Sequence, residues 1–205
     1  MPDNKMTKSA GEHWVCSILS RLGWAAALTR DGIERTDILA ANSDGRHLSI
    51  QVKTTTTFRS PRFRTGSKCC TPSVSPGEWF VFVALSPDAL QLPRAFVVPR
   101  DHVAAAVWIE HMEWLTNPNI KPGVRNTGID QAMTSAKVFA RYEQRWDLLG
   151  MSSTEVPVLL PPRFRTLAQT ERVLLPDGHP WRLVLPEWER SESHETWSEW
   201  ESTES

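Results

Sequence analysis

TDILAANSDGRHLSIQVKT, residues 36–54, decides how the rest of the chain is read. Two runs rich in apolar and β-branched residues, Thr36–Ala41 and Leu48–Thr54, flank Asn42-Ser43-Asp44-Gly45, a turn signal, and together predict a β-hairpin. Strand alternation puts Ile50 and Val52 on one face and Gln51 and Lys53 on the other. Asp37 stands inside an apolar strand, where aspartate is a poor strand former. A register pairing residues whose numbers sum to an even value sets Asp37 opposite Gln51 or Lys53, and a slip of one residue separates them.

Upstream, Val15, Ile18, Leu19 and Leu22 recur at helical spacing before Gly23, predicting a helix over Lys8–Leu22, and Trp24–Thr29 reads as a strand. Glu12 falls on the apolar face of that helix. It is either half of a capping box with Ser9 or a buried acid aimed at a cation. Downstream, Thr55–Gly77 lacks periodicity and reads as a long loop, whereas Trp79–Leu85 and Ala95–Val98 read as buried strands. Asp101 is placed as the cap of a helix reaching Leu115, and a last helix is expected over Gln131–Leu149. Prolines punctuate residues 151–186, which read as a small β extension with a hairpin about Asp177-Gly178. The segment 187–205, with seven acids and one Arg, has the composition of a disordered tail.

The chain has 205 residues, 40% hydrophobic and 23% charged, which excludes fibrous and wholly disordered classes. Neither a membrane span nor a signal peptide is legible. Three cysteines, two of them adjacent, make no disulfide framework, so a cytoplasmic protein is expected. Residues 1–150 carry 18 Lys and Arg against 14 Asp and Glu, and residues 151–205 carry 5 against 10. A basic body with an acidic tail suits a polyanion partner. Arg59, Arg62, Arg64 and Lys68, interleaved with Phe58 and Phe63, suit phosphate contacts and base stacking, against the alternative of a solvated basic loop. The opposed charges predict that the tail competes with nucleic acid for this loop.

Four polar groups, Glu12, Asp37, Gln51 and Lys53, on adjacent elements form a costly cluster unless a metal and a polyanion use it; the alternative is an Asp37–Lys53 ion pair without catalytic meaning. The order GE, TDILA, IQVKT, followed by FVFVAL, FVVP, HMEWL and YEQRWDLLG, resembles the PD-(D/E)XK nuclease superfamily over residues 8–150, and most closely a group of small bacterial members with a QVK motif. That resemblance implies an α/β, restriction-endonuclease-like fold: a mixed central sheet flanked by helices over residues 1–150, followed here by the 151–186 extension and the tail. It implies a Mg²⁺-dependent endonuclease, with Mn²⁺ able to substitute, hydrolysing DNA phosphodiester bonds, RNA being the alternative. Asp37, Gln51, the carbonyl of Val52 and Glu12 would hold the metal, and Lys53 would handle the attacking water. Gln51 stands where many members carry an acid, which removes one negative charge. The rival readings are a catalytically silent nucleic-acid-binding module and a protein-interaction scaffold. A homodimer and a protein partner docked on Trp188, Trp197 and Trp200 complete the expected partners. His111 and Trp114 read as core packing.

Overall fold

Strands that grow more exposed toward one edge of the sheet, set beside one fully buried strand, generate the architecture. The computed structural model describes residues 3–30, 35–121 and 123–189. Its main sheet comprises β1 (Ala25–Leu28), β2 (Ile38–Ala41), β3 (His47–Thr55), β5 (Glu78–Ala84) and β6 (Arg94–Pro99), in that spatial order. All neighbours are antiparallel except β3 and β5, which are parallel. The sheet is therefore mixed, with helices against it, as expected. Every residue of β5 is buried, as a central strand covered on both faces must be.

The hairpin forms in the expected even-sum register, Ile38 opposite Ile50, and Asp37 lies just before the paired stretch, its N–H on the Ile50 carbonyl. Asn42 Oδ1 accepts the N–H groups of Asp44 and Arg46, and Gly45 takes φ +77°, a left-handed value that glycine adopts without strain.

Helix α1 (Asn4–Arg21) begins earlier than expected, because Asp3 caps it by accepting Lys5 N–H at 3.2 Å. The Ser9–Glu12 capping box is therefore absent. Ser9 lies within the helix, where its carbonyl and hydroxyl contact the His13 ring. Val15 and Leu19 are buried, and Gly11 lies against Thr54 of β3.

The segment read as a loop contains β4 (Arg62–Arg64) and a 3-10 turn at Ser67–Cys70. Here β4 pairs with β7 (Met133–Ser135), a partner far away in sequence that no local signal announces. Helix α2 (Arg100–Leu115) starts one residue before Asp101, which does not cap it. The Asp101 carboxylate accepts the N–H and hydroxyl of Ser73 instead, tying the connection between β4 and β5 to the helix.

The expected last helix is replaced by β7 and two 3-10 segments, Ala136–Tyr142 and Trp146–Gly150, separated by Gln144 at φ +55°. Phe139 and Tyr142 sit in the core; the tyrosine hydroxyl accepts Leu159 N–H at 2.8 Å and bonds to His102 Nδ1 at 2.7 Å.

Among the described residues of 151–189 there is no hairpin. A short helix α3 (Arg163–Ala168), a 3-10 turn at Pro180–Arg182 and an isolated bridge between Val158 and Trp188 occupy the stretch, whose prolines interrupt any regular ladder. Its Val158, Leu160, Phe164 and Trp181 join the same hydrophobic core, and Trp108 of α2 donates to the carbonyl of Val173. Residues 190–205, with Trp197 and Trp200 and most of the acidic tail, lie outside the described residues. Among the described residues no helix is long and apolar enough to cross a membrane. Cys16, Cys69 and Cys70 are free thiols.

Candidate functional site

Gly11 sets the depth of the site. A Cβ at this position would lie 2.1 Å from Thr54 Oγ1 and 3.0 Å from Thr54 Cβ, so only glycine lets α1 approach β3 this closely. The next residue, Glu12, is thereby carried to the start of β2. Its side chain is only 14% exposed, and Asp37 is 18% exposed.

Asp37 immediately precedes β2. Its N–H donates to the Ile50 carbonyl at 2.9 Å and its Oδ2 accepts Val52 N–H at 2.8 Å. Along β3 the odd residues bond to the β5 side, Ser49 N–H to Gly77 and the Thr55 carbonyl from Leu85, so Ile50 and Val52 present their backbone groups to the β2 side. Because the N–H and C=O of one strand residue point the same way, the Val52 carbonyl is directed toward the side on which Asp37 lies.

One cation joins the two acids. Lys8 Nζ lies 3.2 Å from Glu12 Oε1 and 3.4 Å from Asp37 Oδ1. Glu12 Oε1 is buried with no hydrogen bond of good geometry, and Lys8 and the Asp37 carboxyl are its polar neighbours. Burial pushes the Glu12 carboxyl above its usual range; Lys8 pulls it back and the Asp37 charge pushes it further up. Partial burial alone would lower the Lys8 ammonium, but Asp37 and Glu12 outweigh it and leave its pKa raised.

Gln51 is engaged elsewhere. Its Oε1 accepts a hydrogen bond from Arg100 Nη2 at 3.1 Å. Arg100 is fully buried: Nε lies 2.7 Å from Glu78 Oε2, Nη2 also donates to the Arg35 carbonyl, and the guanidinium stacks 4.5 Å over Phe80. Arg35 bonds to the same Glu78 carboxylate and to the Pro72 carbonyl. Burial lowers the pKa of Arg100, and Glu78 opposes that shift. The amide oxygen expected to meet a metal is thus an acceptor in a buried arginine network. Lys53 follows on the same strand face and is half-buried. Its charge holds down part of the burial-driven rise that puts the Cys69 thiol at about 11. The Asp37–Lys53 ion pair does not form, because Lys8 is the cation beside Asp37.

The basic residues divide by strand alternation. Phe63 of β4 is buried 5.0 Å from Phe82 and 6.3 Å from Phe96, so it belongs to the core and is no stacking platform. Arg62 and Arg64 on either side of it are exposed, as are Arg59 and Lys68. Arg64 donates to Gln131 Oε1 at 2.8 Å. Arg59, Arg94 and Lys137, with Ser60 and Ser135, line a cleft of about 120 Å³. His111 is buried beside Trp114, ring centres 5.9 Å apart, away from Glu12 and Asp37 in the chain and without contact to either, and Arg125 covers the tryptophan.

Glu12 and Asp37 are therefore brought together, with the Val52 carbonyl aimed to the same side; Gln51 and Lys53 are not among them, since their side chains lie on the face of β3 opposite Thr54, which meets Gly11 of α1. Lys8 and Arg100 were missed from sequence. Lys8 stands four residues before Glu12, a spacing that signals a helical pair, whereas Arg100 has no local signal at all. No group of three or more His, Cys, Asp or Glu side chains able to hold a metal is present among the described residues. No family model, no curated protein and no solved structure matches the chain.

Proposed function

We propose that this chain is a metal-dependent endonuclease hydrolysing DNA phosphodiester bonds, with a restriction-endonuclease-like fold of the PD-(D/E)XK superfamily. The observation that carries the reading is the convergence of two carboxylates from separate elements, Glu12 of α1 and Asp37 at the head of β2, beside the strand bearing Lys53. The donor set fits Mg²⁺ or Mn²⁺ in part: both are oxygen-seeking cations, Glu12 Oε1 is a buried oxygen without an aligned donor, and the Val52 carbonyl supplies a third oxygen. Gln51 does not fit, because Arg100 holds its oxygen. A bound dication would neutralise charge developing on the phosphate and lower the pKa of a bound water. Glu12 and Asp37 would hold it, and the motif would give Lys53 the handling of the attacking water. The exposed Arg59, Arg62, Arg64 and Lys68 supply phosphate contacts.

The Arg100–Gln51 hydrogen bond favours a second reading, a nucleic-acid-binding module that has lost catalysis. A buried cation is invested in the very residue that the motif would spend on metal. Incubating the protein with linear, branched and single-stranded DNA, and with single-stranded RNA, in Mg²⁺, Mn²⁺ or chelator separates the two. Chelator-sensitive cleavage of DNA supports the nuclease. Salt-dependent binding without cleavage in either metal supports the silent module.

A further inference from the structure

We propose that Lys8 is a built-in counter-cation that holds Glu12 and Asp37 together until a divalent cation displaces it, an inference that rests on the metal site proposed above. Three features of the geometry point to this. The ammonium contacts one oxygen on each of two acids from different elements, so it bridges the site and does more than decorate α1. As a helix-surface pair alone it would matter little, because the basic residue precedes the acid, the weaker orientation of such a pair. The carboxylates are mostly buried, yet the Lys8 side chain is 53% exposed, so it can swing into water while the acids stay in place.

The chemistry of the side chain matches the role. A lysine is a compact, strongly hydrated charge on a flexible stem, whereas an arginine fork would bind a carboxylate through two parallel hydrogen bonds and resist displacement. Lys8 Nζ stands at 3.2 and 3.4 Å from the two carboxylate oxygens, longer than a strong charge-assisted hydrogen bond, so its departure gives up two loose contacts. One unit charge leaves two carboxylates under-neutralised, and a dication corrects this. Metal binding and Lys8 thus compete for the same two oxygens.

Calorimetric titration of Mn²⁺ into the metal-free full chain, for wild type, Lys8→Met, Lys8→Gln and Lys8→Arg, tests the competition, with thermal melting of each variant in chelator. The expected result is tighter Mn²⁺ binding by Lys8→Met and Lys8→Gln, roughly thirtyfold at low salt, as for one unit charge removed at about 4 Å from a dication in a water-like medium. Both should melt lower than wild type without metal and gain more from Mn²⁺, and Lys8→Arg should bind Mn²⁺ more weakly than wild type. Measurable binding with equal or lower affinity in Lys8→Met and Lys8→Gln overturns the counter-cation role while leaving the metal site standing. No Mn²⁺ binding by any of the four proteins overturns the metal site and the role together.

Discussion

The Val52 backbone N–H donates to Asp37 Oδ2 at 2.8 Å, so the acid expected to serve a metal also closes the hydrogen-bonding edge of β3 where β2 begins. The two duties separate by substitution. Asp37→Ala leaves Val52 N–H without its acceptor, at a cost of about 1–3 kcal/mol, whereas Asp37→Asn keeps an acceptor oxygen and removes only the charge. Denaturant melts should show Ala clearly less stable and Asn close to wild type. Equal loss in both would mean that the Lys8 contact, and not the Val52 bond, carries the stabilisation.

Gln51→Glu would strengthen a metal site that included position 51. With Gln51 turned to Arg100, it should leave Mn²⁺ affinity unchanged, because the new charge faces the guanidinium. Gln51→Ala should destabilise the fold by about 1–3 kcal/mol by stripping an acceptor from a fully buried arginine. Calorimetry and melting read the two effects separately. A rise in Mn²⁺ affinity for Gln51→Glu would place that side chain in the metal site.

Gly11→Ala improves intrinsic helix propensity by about 1 kcal/mol and should nonetheless destabilise the protein. The added methyl would sit 3.0 Å from Thr54 Cβ, a contact that rotating the hydroxyl cannot relieve. Overpacking of this kind costs about 1–3 kcal/mol, and pushing α1 off β3 would also draw Glu12 away from Asp37. Thr54→Ala should recover part of the loss, since it removes the partnerless hydroxyl and the Cγ2 that the methyl would meet at 2.1 and 2.9 Å and leaves only the Cβ contact. Failure of the double variant to recover stability would show that the helix is held elsewhere.

Glu110 on α2 gives a pH signature. Burial raises its carboxyl to about 7, against opposing pulls from Thr134, Arg163 and Arg62. The folded pKa lies above the unfolded one, so the contribution to stability is complete below pH 4.5 and is lost as pH rises toward 7. The loss is on the order of 3 kcal/mol. Glu110→Gln should flatten this part of the profile and melt higher than wild type at pH 8. Parallel pH profiles for the two proteins would show that Glu110 titrates near its ordinary value.

Much of this was legible in the sequence wherever a pattern is local. The hairpin, its parity and its turn follow from alternation and Asn42-Ser43-Asp44-Gly45, and the buried β5 follows from EWFVFVA. The pairing of Glu12 with Asp37 was within reach because the helical face and the strand each marked an out-of-place acid. What failed was long-range. Phe63 looked like an aromatic in a basic loop because β7, the strand that makes β4 a strand, lies some 70 residues onward. Gln51 looked like a ligand because Arg100, its donor, arrives from the first turn of a distant helix. Asp3 displaced Ser9 as the cap because α1 extends about three turns upstream of Val15, its first buried apolar side chain.

The most direct test of the central claim is cleavage of DNA in Mn²⁺ and in Mg²⁺ by wild type and by Asp37→Asn, with melting curves taken on the same samples. The account predicts chelator-sensitive cleavage by wild type and background cleavage by Asp37→Asn at an unchanged melting temperature. Cleavage by Asp37→Asn at the wild-type rate would contradict it.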